Sequence, residues 1–251
     1  MYDSFIFRGE AVEDYAAEAF LGESYTAGGN VTRSVYALPM GGSALIGEDV
    51  PGERTLTMTL APAEGREETP AWRRRILGWL QGARGVLVFR NDPETEWYCS
   101  FDKSGTAGGK ISPVGGLTLT MTAQPLTRAR LESVASGTTS KRALTLAMPA
   151  ETDAPAPVRV VIAPKRTLTA LTLTTPTGTV RLAGLTARQT IEYYAGDVHG
   201  EAARLTIGGA PNYSGLASGQ WGRLTLASGE KLTVQTAGCE ADVHLYARGW
   251  F

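Results

Sequence analysis

Two-carboxylate hydrolysis needs a pair of acids facing one bond. Three acidic pairs lie close enough in sequence to be considered: Glu67-Glu68, Glu94 with Glu96, and Glu240 with Asp242. The last pair shares one face of a strand, because strand side chains alternate with a period of two. Each pair also has a plainer role, as a charge at a helix start, a hairpin rim or an exposed strand face. Histidine chemistry is sparse. His199 lies in the loop-like stretch Gly196-Asp197-Val198-His199-Gly200, and His244 sits inside an alternating strand. The two have neither a zinc-protease spacing nor a Cys/His metal pattern. No Gly-x-Ser-x-Gly nucleophile elbow occurs. Gly108-Gly109-Lys110 resembles a phosphate loop, but Ile111 follows the lysine and Ser104 stands where the earlier glycine belongs. No Gly-x-Gly-x-x-Gly opens a helix after a strand. No catalytic, metal-binding or cofactor-binding residue is therefore assigned, and the chain reads as a non-enzyme with no cofactor.

Binding chemistry offers more. Arg73, Arg74 and Arg75 are the largest basic cluster and form a candidate contact for an acidic partner, against the plainer reading of a solvated helix face. The segment Tyr36 to Glu53 is rich in glycine and poor in periodicity. Its apolar residues Leu38, Met40, Leu45 and Ile46 are costly to leave in water and form a candidate subunit interface. Aromatics collect in the second half: Tyr193-Tyr194, Tyr213, Trp221, Tyr246 and Trp250-Phe251. Exposed rings could stack on a sugar. Alternating strand positions favour core packing instead, with Tyr193 and Tyr246 expected to be largely buried.

The elements that position these residues are mostly strands. The chain has 251 residues, a size that favours two domains. With 24 Lys and Arg against 25 Asp and Glu, the net charge of -1 argues against a general nucleic-acid binder. Cys99 and Cys239, far apart in sequence, read as free buried thiols rather than a disulfide scaffold. No export signal opens the sequence, and no apolar run approaches the ~20 residues of a membrane helix, so the expectation is a soluble protein made in the cytoplasm. Threonine alternates with apolar residues in Arg54–Leu60, Leu117–Thr122 and Leu171–Thr174, the pattern of half-buried antiparallel strands. Further strands are expected at Phe5–Phe7, Gly85–Arg90, Thr95–Phe101, Arg159–Ile162, Thr179–Leu182, Gln189–Tyr193, Ala203–Ile207, Leu232–Gln235 and Asp242–Tyr246. One helix stands out: Thr69 caps it, Pro70 occupies its first position, and Trp72, Ile76, Leu77, Trp79 and Leu80 follow with helical spacing up to Gly82. Thr127-Arg128-Ala129-Arg130 and the small polar run Ser136–Ser140 read as a linker. The expected domains are 1–130, a β-sandwich with one helix, and 140–251, a β-sandwich or jelly roll without a helix.

Taken in order, these elements resemble the distal tail protein of long-tailed (siphovirus-type) bacteriophages. The likeness rests on Ser4-Phe5-Ile6-Phe7-Arg8-Gly9 as a short aromatic first strand and turn. It rests also on the glycine-interrupted loop from Arg33 to Gly52 leading into Arg54–Leu60. The third element is the helix Trp72–Leu80, followed by Gly85–Phe89, Asn91-Asp92-Pro93 and Glu96–Phe101. The fourth is a second β domain ending in Asp242–Trp250. It covers almost the whole chain and lies in order and spacing rather than in one diagnostic motif. The family often has an Asn-Gly-type turn before the strand at Arg159; here the region is Glu151-Thr152-Asp153-Ala154.

The resemblance implies a tail-tube-like first domain and a galectin-like second domain, with Pro155–Ile162 and Ser228–Val234 as that domain's characteristic strands. It implies a structural role in the virion, as a baseplate-hub ring that joins the tail tube to the tail tip. The implied partners are five further copies in a homohexamer, the tail-tube protein, the tail-tip or hub protein and receptor-binding proteins. DNA would meet the protein only in passage through the channel. Assembly would take place in the host cytoplasm, without a membrane. The competing readings are a carbohydrate-binding module using the second sandwich and, behind it, a hydrolase on one of the carboxylate pairs.

Overall fold

The computed structural model describes residues 4–21, 31–32, 35–37, 43–45, 50–80, 82–101, 116–197, 201–219 and 221–251. The chain divides into two compact units, Met1–Thr127 and Arg128–Phe251. Both are mainly β, and the sheets are antiparallel and curled into sandwich-like folds.

In the first unit the strands lie in the order Glu10–Ala11, Phe5–Phe7, Arg84–Phe89, Asp92–Phe101, Leu117–Ala123, Arg54–Pro62 and Ala17–Leu21. The period of two does here what the sequence requires. Leu56 pairs with Met121, Met58 with Leu119 and Leu60 with Leu117, and all six side chains are buried. The intervening threonines pair across the other face, Thr55 with Thr122, Thr57 with Thr120 and Thr59 with Thr118. Hydroxyl contacts such as Thr59–Thr118 (3.5 Å) suit this wet face.

The helix Pro70–Leu80 covers the apolar side. Thr69 Oγ1 accepts the Trp72 amide at 3.1 Å, and Gly82 turns the chain with a φ of 68°, as the capping residues predict. Ile76 and Leu80 are fully buried, and Trp72, Leu77 and Trp79 pack against the same core. Trp79 lies between two rings, stacked on Tyr15 at 4.2 Å and on Phe5 at 5.7 Å, with Phe7 edge-on at 6.3 Å. The Arg75 guanidinium lies over the Tyr15 ring at 5.1 Å. Trp72 Nε1 donates to the Ala16 carbonyl at 3.2 Å, which fixes the other end of the helix to the turn after the 3-10 helix Val12–Tyr15.

The second unit is a two-layer sandwich. One sheet runs Ser133–Thr138, Ala241–Ala247, Arg159–Pro164, Ile191–Tyr194, Arg204–Ile207 and Ala210–Pro211. The other runs Ala143–Ala147, Lys231–Ala237, Leu168–Thr175, Gly178–Ala187 and Leu216–Gly219. Val160, Ile162, Tyr193, Leu205, Val243 and Leu245 from the first pack against Leu171, Leu173, Val180, Leu182, Leu232 and Val234 from the second. The linker expected at Ser136–Ser140 is corrected in part: Ser133–Thr138 is an edge strand paired with Ala241–Ala247. Its small residues hide it from pattern reading, and at Gly137 the space is tight, since a Cβ would lie 3.1 Å from Leu144 Cδ1.

Cys99 and Cys239 are buried and free, one in each unit. Burial pushes the Cys99 thiol up to about 12 from 9.0. The folded state therefore holds this proton where the unfolded chain loses it, and stability should fall as pH rises from 9.0 toward about 12. At pH 8 a thiol reagent should leave Cys99 unmodified until the first unit unfolds.

Trp79→Ala should cost ~3–5 kcal/mol in denaturant unfolding, confined to the first unit's transition. Trp79 Nε1 is buried with no hydrogen-bond partner among the described residues. Trp79→Phe should therefore keep the stack and cost less than ~1.5 kcal/mol.

Candidate interaction surfaces

The acidic and histidine residues singled out in the sequence are dispersed, and several are engaged within their own unit. No group of three His, Cys, Asp or Glu side chains able to hold a metal occurs among the described residues. Glu68 pairs with Arg73 and accepts the Gly116 amide at 2.8 Å, so it is used within the first unit. Asp242 accepts the Thr138 hydroxyl and lies 3.8 Å from Lys165. His244 lies 6.2 Å from the Tyr246 ring. His199 and Gly108-Gly109-Lys110 lie outside the described residues.

The outer face of the six-stranded sheet carries a network of arginine, tyrosine and carboxylate side chains. Register places Tyr246, Arg159, Tyr194 and Arg204 side by side on four successive strands. The Arg159 guanidinium lies 4.0 Å from the Tyr246 ring and that of Arg204 lies 5.0 Å from the Tyr194 ring. Arg159 Nε donates to Glu132 at 3.1 Å. Glu192 lies between Arg159 (3.6 Å) and Arg204 (3.5 Å). At one end of the row the buried Arg128 guanidinium donates to the buried Asp197 and, at 3.4 Å, to Glu201. Burial, followed by the charges of Asp197 and Glu201, pushes the Tyr194 hydroxyl well above the ordinary tyrosine range. These side chains border a cleft of ≈ 260 Å³. Arg128, Arg159 and Arg204 all face carboxylates, so the cleft is a locked ion-pair network rather than an empty receptor for an anion.

The aromatic expectations divide accordingly. Tyr193 is buried in the core, against the edge of Trp221 at 5.4 Å. Tyr246 is only half-buried, which corrects its expected place: it lies on the outer face, under Arg159. Tyr194 and Trp250 are buried. Of the candidate sugar-stacking rings, Tyr213 (50%) and Phe251 (42%) are the well-exposed ones. The carbohydrate reading is not favoured.

The basic helix cluster is divided among different roles. Arg73 pairs with Glu68, while Arg75 donates to the Asp14 carbonyl at 3.0 Å and covers Tyr15. Arg74 is exposed. Of the candidate interface residues, Leu38, Met40 and Ile46 lie outside the described residues, and Leu45 is described by its backbone, paired with Val35. Between Ala17–Leu21 and Arg54–Pro62, which pair in the sheet, two further ladders nest: Val31–Thr32 with Val50–Pro51, and Val35–Ala37 with Ser43–Leu45. These inner ladders are two-stranded. They are too short for alternation to be read, so the segment from Tyr36 looked irregular in sequence.

Two mainly β, sandwich-like units in series, the first with a covering helix, define the fold class of this chain. No family profile and no curated protein sequence matches the chain. Its fold does match solved phage proteins. One is SPP1 Dit (gp 19.1), described as a paradigm of the hub adsorption apparatus in phages infecting Gram-positive hosts. The TM-score is 0.69 at 12% identity, over 99% of each chain. Another is a chain of the phage p2 baseplate in its activated conformation, with a TM-score of 0.52 at 8% identity, over 98% of this chain and 97% of that one. The chain thus has the fold of the distal tail proteins along its whole length.

Removing one partner from a buried ion pair leaves an uncompensated charge. Asp197→Ala should therefore destabilise the second unit by ~3–5 kcal/mol. Arg204→Ala, at a more exposed pair, should cost below ~1 kcal/mol. Unfolding of the second unit followed by the fluorescence of Trp221 and Trp250, in a variant lacking the first unit's three tryptophans, separates the two outcomes.

Proposed function

We propose that the protein is a structural component of a bacteriophage tail, a hub ring joining the tail tube to the tail tip or baseplate. The observation that carries this reading is the full-length match to the SPP1 hub protein, across both units and without large unmatched segments. The absence of a composed catalytic cluster among the described residues fits a part that works by shape and by repeated contacts.

In this reading six copies close a ring through one head-to-tail contact. The nested ladders between Ala17–Leu21 and Arg54–Pro62 form an arm. Leu38, Met40, Leu45 and Ile46 on that arm meet the next subunit and leave water there. The first units surround the channel. The uncharged threonine face of Arg54–Pro62 and Leu117–Ala123 suits a wall past which DNA slides, since it presents no cation to hold phosphates. Arg74 is the member of the helix cluster that contacts the tail-tube or tail-tip protein. The second unit is a scaffold, not an active lectin, and a place where receptor-binding proteins attach. The protein functions in the virion, after assembly in the host cytoplasm.

Electron microscopy of tails should find six copies at the distal end of the tube. Leu38→Asp with Met40→Asp should abolish the ring while the second unit unfolds as in the parent. Tails that assemble normally with this double variant, or a chain absent from purified tails, would refute the reading.

A further inference from the structure

Charge is shared unequally between the two units. Residues 1–127 carry 16 Asp and Glu against 11 Lys and Arg, a net of -5. Residues 128–251 carry 9 against 13, a net of +4, and the two nets together give the whole-chain -1. The positive excess has a location. Loops 139–142, 165–167, 188–190 and 238–240 all connect one sheet of the second sandwich to the other, at the same end. Together they carry Lys141, Arg142, Lys165, Arg166 and Arg188, all exposed, and one acid, Glu240. Arg188 Nε donates to Thr167 Oγ1 at 2.8 Å, and Lys165 lies 3.8 Å from Asp242. Lys141, Arg142 and Arg166 make no ion pair with a described residue.

The backbone adds a second, independent observation. Ser140 and Ala143 exchange amide hydrogen bonds of 2.9 and 3.0 Å, which closes a two-residue hairpin. The two residues at its tip, Lys141 (φ 50°) and Arg142 (φ 66°), are both left-handed. Such a turn is ordinarily Asn-Gly, because long side chains are strained there. Here two adjacent like charges occupy it. Strain and repulsion kept together at an exposed tip point to use of that tip.

We propose that this cationic end of the second unit is a docking surface for the acidic first unit of a second copy of the chain. Opposite and nearly equal charges on the two halves make a head-to-tail contact between copies attractive, where a like-to-like contact would repel. A sugar is disfavoured because none of the four loops carries an aromatic ring. The contact uses none of the arm residues and does not rest on the tail reading.

The test is sedimentation velocity on the full chain carrying Leu38→Asp and Met40→Asp, which removes the apolar arm contact of the proposed ring. Association should appear at low salt and disappear near about 1 M salt, where the screening length is about 3 Å. The triple variant Lys141→Glu, Arg142→Glu, Arg166→Glu should associate at least about tenfold more weakly at low salt, with its circular dichroism unchanged. Lys141→Asn with Arg142→Gly should weaken association and raise the second unit's Tm, because the turn is relaxed and two charges are lost. A chain that stays monomeric at low salt, or whose association ignores both salt and the triple variant, overturns the proposal. Retention on immobilised inorganic polyphosphate without self-association overturns it in favour of a polyanion. If microscopy finds no ring in tails while the salt-sensitive association persists, the tail reading fails and this contact stands.

Discussion

An antiparallel sheet with alternating side chains has one dry face, and that face must be covered. Every larger feature of this protein follows from how the cover is supplied. In the first unit it is a helix, held by Trp79 between Phe5 and Tyr15 and by Trp72 on the Ala16 carbonyl. In the second it is another sheet, so the chain must cross between layers again and again, and the crossings gather loops at the sandwich ends. The helix leaves the first unit's threonine face free. The second sheet leaves the Tyr–Arg face of its partner free. The two outer faces differ in kind: one is rich in threonine hydroxyls, with Arg84 and Glu18 on the neighbouring strands, and the other is a ladder of guanidinium and phenol rings.

The Tyr–Arg face is an internally paired network. Catalysis uses groups whose charge is incompletely satisfied and whose pKa is matched to a task. Arg128, Arg159 and Arg204 instead face Asp197, Glu201, Glu132 and Glu192, and the Tyr194 hydroxyl is moved away from neutrality rather than toward it. Such a network stiffens a surface and fixes its shape. The fold that carries this network is shared over its full length with SPP1 Dit.

Much of the architecture was legible in the residues. Leu-Thr-Met-Thr alternation states its own strand and its own buried side, because period two is a local property. Thr69, Pro70 and Gly82 mark the helix ends through the geometry of the residues themselves, and the helix runs Pro70–Leu80 as they require. The order of these elements was enough to indicate the fold. Where alternation was short or the residues small, legibility stopped. Ser133–Thr138 carries little side-chain signal and becomes a strand only because Ala241–Ala247 pairs with it. The ladders at Val31–Pro51 are likewise defined by their partners.

What the sequence by itself determined is therefore the element type and the buried face of the long alternating strands, such as Arg54–Leu60 and Leu117–Thr122. Both depend on neighbours within a few positions. What only the tertiary structure decided is which distant residues meet. Tyr246, Arg159, Tyr194 and Arg204 form one row because of cross-strand register, so Tyr246 lies under an arginine and not in the core. Lys141, Lys165 and Arg188 share one end because three separate crossings finish there. Register and loop proximity are set by pairing between segments up to a hundred residues apart, and no local pattern encodes them.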